Sequence, residues 1–440
     1  MKATKKIQNA WAMYDWANST YNLVIGTAIF PLFYTAVTKG LVPGGAADDV
    51  IFFGGVYKNT EVLSYALALG MAIVCILSPM LSGVADYLDR KKTFMQFFCY
   101  LGALSCASLF FFDLNHLELS MLSVVFACVG FWCSYAFANS FLPEIAEPQE
   151  QDKLSAKGYS LGYIGSVLLL IINFVMLKVL NINVRWCFVS VAIWWIGFAQ
   201  YTFYHLKESK QAIKVDSGVI GKGFRELKKV WRELKTTHRQ KRYLIAFFVF
   251  SMGVQTIMQM ASLFGTKEII RYDNGERIVG LSEAQLISAV LMVQLIAIPG
   301  AFVFSWGSKK LGNLNMLKVA LLAWCGICVF AYTIVDTPNE FYLAAGLIGF
   351  IMGGTQSLAR STYSKFIPET EDTASYFSFY DVTEKVGLII GLISFGYLEG
   401  AFGSMRTSIL ALITFFVVGL LLLLLVPQKE KSTEGKNFRV

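Results

Sequence analysis

The sequence predicts an all-α membrane protein with twelve transmembrane helices in two pseudo-symmetric six-helix bundles. Three observations carry that expectation: the number and length of the apolar segments, a quartet repeated at matching places in the two halves, and a one-sided distribution of Lys and Arg. Hydrophobic residues make up 55% of the 440-residue chain and charged residues only 15%. That is more apolar surface than a soluble core of this size buries, so a lipid bilayer is the expected partner for most of it.

A helix crosses the hydrocarbon with about 20 apolar residues. Six such segments fall near 10–37, 60–83, 93–112, 119–142, 158–180 and 186–206, numbered here spans 1 to 6. After a polar stretch come spans 7 to 12, near 243–265, 284–306, 314–335, 340–366, 374–399 and 405–426. The expected units are a first bundle over 1–206, a cytoplasmic linker over 207–242, a second bundle over 243–427 and a cytoplasmic tail over 428–440. Phe141-Leu142-Pro143-Glu144 closes span 4 and returns as Phe366-Ile367-Pro368-Glu369 at the end of span 10, a shift of 225 (366 − 141). The span after each copy carries a glycine in register, Gly162 in one half and Gly387 in the other. Two matched helix sets facing each other are the architecture of a solute carrier.

With both termini in the cytoplasm, the inner segments hold 29 Lys and Arg and the outer loops 8, and Lys385 within span 11 completes the 38. The inner total includes Lys2, Lys5, Lys6, the Arg90-Lys91-Lys92 run and twelve in the linker; without the linker the ratio is still 17 to 8. The positive-inside rule therefore predicts cytoplasmic termini, and a bacterial cytoplasmic membrane is the expected location. The net charge of +8 reports topology, and nucleic acid is not an expected partner. No short apolar core leading to a small-residue cleavage site follows the basic start. All eight cysteines fall inside predicted spans, which argues against an extracellular disulfide framework. Cys325 and Cys328 form a CxxC with no histidine nearby, and no metal or cofactor is expected.

In the linker, Phe224, Leu227, Trp231 and Leu234 recur at 3-4-3 spacing, with Arg225, Lys228, Lys229, Arg232 and Lys235 on the other face. That pattern predicts a basic amphipathic helix, a strap between the halves suited to an anionic leaflet. Asn274-Gly275 predicts a tight hairpin between spans 7 and 8. The Gly-rich 38–60 loop is expected to be irregular.

Polar side chains within spans should face protein or a wet path. Asp15, Asn18 and Asn22 share one face of span 1, and Trp132, Tyr135 and Asn139 lie along span 4. Span 7 places Ser251, Gln255, Gln259 and Ser262 in a stripe, and span 10 places Gln356, Arg360 and Tyr363 in another. Spans 1, 4, 7 and 10 open the four three-helix units, so equivalent helices are expected to line a central path. The alternative for each residue is a hydrogen bond that glues helices together. Asp15, Asn18, Asn22, Asn139, Gln255, Gln259, Gln356, Arg360 and Tyr363 are the candidate substrate-binding residues. Asp15 and Arg360, in opposite halves near the cytoplasmic ends of their spans, are expected to form a substrate-charge site, a gate or a fixed ion pair. In span 11, Asp381 and Lys385 are one turn apart and can neutralise each other, which leaves Glu384 without an obvious local partner. Glu384 and Asp15 are the candidate proton carriers.

The loop after span 2, Gly83-Val84-Ala85-Asp86-Tyr87-Leu88-Asp89-Arg90-Lys91, resembles the major facilitator signature Gly-x-x-x-Asp-x-x-Gly-Arg-[Lys/Arg], with Asp89 in place of the second glycine. The resemblance implies that Asp86 and Arg90 latch the halves on the cytoplasmic side, Asp86 facing the amino end of a helix such as span 11. The matching loop of the second half, Ser305-Trp306-Gly307-Ser308-Lys309-Lys310, lacks the Asp, so the latch is expected to be asymmetric. Tyr14-Asp15-Trp16-Ala17-Asn18-Ser19, Asn139-Ser140-Phe141-Leu142-Pro143-Glu144, Gly158-Tyr159-Ser160-Leu161-Gly162-Tyr163-Ile164-Gly165 and Gly353-Gly354-Thr355-Gln356-Ser357-Leu358-Ala359-Arg360-Ser361 occur in order. Together they resemble the branch of the superfamily that contains the fungal vacuolar effluxers and their bacterial relatives. Members of that branch tend to begin span 7 with an aromatic and Asn-Asp-Gly, where this chain has Phe250-Ser251-Met252-Gly253 and no carboxylate. The resemblance implies export of amino-acid-like solutes.

The expected function is secondary active transport of a small polar or zwitterionic solute by alternating access, with a coupling proton or another ion giving direction. A lipid-like substrate and a non-transporting sensor with the same fold are the alternatives. His116, His205 and His238 lie at span ends or in the linker without a nucleophile–base spacing, so an enzyme is not expected. No Gly-x-x-x-x-Gly-Lys-[Ser/Thr] points to an ATP-driven pump. Oligomeric state and direction leave no mark on the sequence.

Overall fold

The computed structural model describes residues 3–42, 46–207, 219–273, 276–402 and 405–428. Twelve long helices stand at the twelve apolar segments among these residues. Spans 1 to 6 are Lys5–Val37, Asn59–Leu88, Lys91–Phe111, Leu117–Ile145, Pro148–Lys178 and Arg185–His205. Spans 7 to 12 are His238–Lys267, Glu283–Leu311, Asn313–Thr333, Pro338–Phe366, Thr373–Phe402 and Met405–Leu424. The protein is an all-α, multi-pass integral membrane protein of two six-helix bundles. Turns 274–275 and tail residues 429–440 lie outside the described residues.

Local chemistry fixes several helix starts. Ser282 and Gln285 form a reciprocal capping box at span 8, and Thr337 with Glu340 forms another at span 10. Pro148 and Pro338 open spans 5 and 10, where a missing N–H costs nothing. Span 1 is not uniform: Tyr21–Ala28 is π-helical between α-helical flanks. Such widened turns cluster at functional sites.

Each half has its own apolar core. Trp11, Phe30, Phe98, Phe137 and Trp195 are among the buried residues of the first, and Phe247, Trp324, Tyr363, Tyr376 and Phe416 of the second. The halves meet where span 5 packs on spans 8 and 10, and where spans 2 and 4 pack on span 11. Gly162 and Gly387 play matching parts. A Cβ at Gly162 would stand 2.4 Å from Ser19 Oγ of span 1, and one at Gly387 2.8 Å from Ser251 Oγ of span 7. Bare backbone lets spans 5 and 11 press on the first helix of their own halves, which gives the in-register glycines a steric reason.

The loops away from the termini carry two hairpins. Ile270–Asp273 pairs with Glu276–Val279, around the Asn-Gly expected to turn there. In the loop expected to be irregular, Asp49–Phe52 pairs with Gly55–Lys58. Its turn was hidden because Phe53 adopts φ 46° next to Gly54 at φ 77°, a left-handed pair with a bulky first residue. Lys58 sits on Asp48 and Asp49, each 2.8 Å away, and its hydrogen bonds hold both carboxyls below their usual range.

The linker helix is Val219–Thr236. It lies along the terminal side and touches both halves.

Candidate functional site

Between the halves lies a cavity of about 200 Å³. Spans 1, 4, 5, 7, 8, 10 and 11 supply its walls. Leu286 and Phe341, each in the first turn of a helix that starts on the hairpin side, mark its upper end. Its lower end rests on Tyr135 and Tyr159, so the cavity runs from mid-membrane toward the hairpins.

The wall is amphiphilic by construction. Ser19, Asn22 and Thr27 come from span 1, Gln255, Gln259 and Ser262 from span 7, Gln294 from span 8, and Gln356 from span 10. Tyr163 donates to Gln356 Oε1 across the halves at 3.0 Å. Glu384 and Lys385 of span 11 place opposite charges side by side at the wall. Glu384 is not the isolated group expected: Gln255 Nε2 donates to its Oε1 at 2.7 Å, and Lys385 Nζ stands 3.5 Å from its Oε2. Span 7 supplies that partner, and the contact depends on how two helices distant in sequence face each other. Lys385 also pairs with Asp381, and its ammonium lies 3.6 Å from the centre of the Trp132 ring, a cation–π contact from the other half.

Below the cavity the halves are joined by Arg360. Its two terminal nitrogens each donate to Asp15 Oδ2 at 3.1 Å. Nε donates to Ser155 Oγ, one terminal nitrogen to the Ser155 carbonyl, both at 2.9 Å, and the other to Asn139 Oδ1 at 3.0 Å. The Tyr159 ring stacks 4.2 Å from the guanidinium carbon. Arg360 is 0% exposed and Asp15 5%. A guanidinium fork so fully partnered can remain charged in a dry layer, whereas one missing partner leaves an uncompensated charge. Gly158 makes the layer possible, since a Cβ there would lie 2.3 Å from Asp15 Oδ2 and 2.9 Å from Arg360 Nη2.

Nearer the termini two further contacts close the halves. Asp86 accepts from the backbone N–H groups of Ala374 and Ser375 at 3.2 and 2.7 Å, at the amino end of span 11. Free N–H groups there favour a carboxylate. The cation that reaches across is Lys91, not Arg90, which is exposed. Lys91 Nζ donates to Glu144 Oε1 at 2.5 Å, to the Glu371 carbonyl at 2.6 Å and to Thr373 Oγ1 at 2.8 Å. Arg90 is displaced because span 3 begins at Lys91, which aims that side chain inward. Asp89 ends span 2 at φ 51°, the left-handed conformation that explains a glycine at this place in the signature. The second closure reverses the donor: Asp152 of span 5 accepts from Ser308 Oγ at 2.8 Å and Asn313 at 2.7 Å, and Lys365 Nζ lies 2.6 Å away. The second-half loop lacks its own carboxylate and receives one from the first half.

The expected site residues thus fall in three places. Asn22, Gln255, Gln259, Gln356 and Glu384 line the cavity, and Asp15, Asn139 and Arg360 form the layer beneath it. Asn18 and Tyr363 reach neither. Ser19, four residues on from Asp15, lines the cavity where Asn18 was expected, and Asn18 is buried. The Tyr363 hydroxyl donates to the Tyr376 carbonyl at 2.7 Å inside the second core. Asp152, Lys365, Ser155 and Gly158 were missed. Glu144 was visible as part of the repeated quartet and of the motif that contains it, with no role attached; its second-half counterpart Glu369 is exposed. Among the described residues no group of three or more His, Cys, Asp or Glu could hold a metal ion.

Two helix bundles about a central cavity, closed on one side by cross-half carboxylate contacts, define a transporter of the major facilitator class. The model of the family described as vacuole effluxer Atg22 like matches residues 3–436, and the chain belongs to that family. It is 28% identical to an uncharacterized MFS-type transporter, YxiO, of Bacillus subtilis over 99% of this chain and 97% of that protein. It is 24% identical to autophagy-related protein 22 of Coccidioides immitis, over 92% of this chain and 79% of that one. Among solved structures it resembles the proton:xylose symporter XylE, with a TM-score of 0.70 at 12% identity over 96% of each chain. The transporter FucP in its outward conformation gives 0.67 at 13% identity, over 97% of this chain and 98% of that one.

Proposed function

We propose that this transporter is a secondary active carrier for a small polar or zwitterionic solute, amino-acid-like in its charge pattern, working by alternating access. The observation that carries the reading is the cavity, with its amides and tyrosines and the adjacent charges of Glu384 and Lys385 at one wall. Neighbouring opposite charges complement a zwitterion, whose own charges are a few bonds apart. The volume favours a small solute over a lipid, because pockets for drug-sized ligands run from roughly 300 to 1,000 Å³. The basic residues assign the termini to the cytoplasm. On that assignment the cavity opens outward, and the Asp15–Arg360 layer with the Asp86 and Asp152 contacts is the closed inner gate. The family's description as a vacuole effluxer adds support for export.

Glu384 is the carboxylate that reaches the cavity, which makes it the proposed coupling proton site. Protonation would release Lys385 from one of its two carboxylates and leave the ammonium more available to a substrate anion. Asp15 is the second proposed proton carrier, acting when Arg360 withdraws.

The test is a thermal-shift screen of the purified protein against neutral, acidic and basic amino acids, sugars and lysophospholipids, because a bound solute stabilises by mass action. Neutral amino acids are expected to raise Tm, with the rise lost in Glu384→Gln and Lys385→Met. Stabilisation by lysophospholipids alone would overturn the substrate class.

A further inference from the structure

The linker helix Val219–Thr236 does two things at once. Its inner side is built into the protein. Gly223 packs so closely on span 2 that a Cβ there would lie 2.6 Å from the Val84 side chain and 2.8 Å from its backbone nitrogen. Lys222 Nζ lies 5.2 Å from the centre of the Tyr87 ring, also on span 2. Two turns on, the helix grips the second half instead. Lys229 pairs with Asp372 at 2.7 Å, Glu233 accepts from the Tyr376 hydroxyl at 2.7 Å, and Trp231 lies 5.4 Å from Phe379, ring to ring. Val230 and Leu234 are buried.

Spans 2 and 11 are the same pair that the Asp86 contact joins. The helix therefore spans the gate and can keep both grips only while the terminal side is closed.

Beyond these grips its outer side is open, and Trp231 keeps much of its ring exposed beside Phe379. Phe224 and Trp231 are each 47% exposed, and Arg225, Lys228, Arg232 and Lys235 are exposed. At about 100° per residue, the buried Gly223, Val230 and Leu234 mark one direction, and Phe224 and Trp231 lie roughly a quarter turn from it. The four cations follow in the next arc. An aromatic shoulder bordered by cations is the cross-section of a helix lying in a bilayer interface, with rings at the acyl boundary and cations at headgroup level.

We propose that this outer side binds anionic phospholipid headgroups of the leaflet on the terminal side, and that binding favours the conformation closed on that side. The second clause rests on the alternating-access reading; the first does not. Charge complementarity selects the partner: four cations in one arc, beside membrane-depth aromatics, fit a sheet of anionic headgroups better than a single soluble anion.

Two measurements on the full chain test it. Purified protein in neutral detergent is melted with added dioleoylphosphatidylglycerol, dioleoylphosphatidylcholine or inorganic phosphate. Phosphatidylglycerol is expected to raise Tm by about 3 °C or more at low salt. Phosphatidylcholine and phosphate are expected to do nothing, and the rise is expected to disappear in Arg225→Gln/Lys228→Gln/Arg232→Gln/Lys235→Gln. These four side chains are exposed, and the ring contact of Lys235, 4.9 Å from the centre of Trp231, stays within the helix, so the variant tests binding more than folding. An equal rise in that variant, or the same rise with phosphate alone, overturns headgroup binding.

For the conformational clause, Ser155→Cys lies behind Arg360 and is reachable only when the terminal side opens. Its labelling by a maleimide, read on its own peptide by mass spectrometry, is expected to slow at least twofold in 3:1 phosphatidylcholine–phosphatidylglycerol vesicles relative to phosphatidylcholine alone. The quadruple variant is expected to show no difference. Headgroup binding without slowed labelling overturns the coupling to the gate and leaves the binding site standing.

Discussion

Arg360 is a cation with no access to water, and its neighbours are arranged to tolerate it. Asp15, Asn139 and Ser155 take its donors while Tyr159 covers its face. Arg360→Ala strands Asp15 in a dry layer and is expected to cost about 3–5 kcal/mol, whereas Asp15→Asn/Arg360→Gln together should recover most of that loss. Thermal melting of the wild type and these two variants checks it; a double variant as unstable as Arg360→Ala would mean the pair is not the unit. Gly158→Ala puts a methyl against Asp15 Oδ2, and overpacking of that kind is expected to cost about 1–3 kcal/mol. At Asp89, Asp89→Val forces a β-branched residue into left-handed backbone and is expected to cost about 1–2 kcal/mol, with Asp89→Gly neutral or stabilising. The sequence pointed to Arg360 and Asp15 because both are ionisable residues inside apolar spans. It could not reveal Gly158, whose importance is a distance to atoms of two other helices.

At the scale of elements, the polar stripes on spans 1, 4, 7 and 10 follow from helical period and were readable in advance. What the period leaves open is depth and tilt. Asn22 and Gln356 therefore reach the cavity, while Asn18 and Tyr363, on the same stripes, end in packed interiors. The closures needed still more: Asp152 and Lys365 are 213 residues apart, and no local pattern pairs them. Asp152→Asn keeps hydrogen bonds but removes the charge opposite Lys365, and is expected to speed labelling of Ser155→Cys; unchanged labelling would separate this contact from closure. The linker's grip on span 11 carries a pH sign of its own. The hydrogen bond to Asp372 raises the Lys229 pKa. A raised lysine pKa means stability present through neutral pH and lost as pH climbs through the folded value. Tryptic cleavage in 219–236 should therefore accelerate only at strongly alkaline pH, and Lys229→Met should be fast throughout.

For the whole molecule, the sequence's two-fold repeat became two bundles with matched glycines at 162 and 387, and the repeat was legible because it is written into hydropathy. That the latch is asymmetric was legible from the Asp missing in the second-half loop; that Asp152 of the first half supplies the carboxylate there was not. The proposed cycle requires reciprocal motion: the terminal side opens as the hairpin side closes. Pulsed electron spin resonance of reconstituted protein reads this without knowledge of the substrate. One label pair, Glu147→Cys/Lys309→Cys, reports the terminal side, and a second, Leu119→Cys/Leu343→Cys, the hairpin side. Introducing Asp15→Asn/Arg360→Gln should lengthen the terminal-side distances and shorten the hairpin-side distances in the same sample. Distances that stay fixed on both sides, or lengthen on both, would contradict alternating access about this cavity.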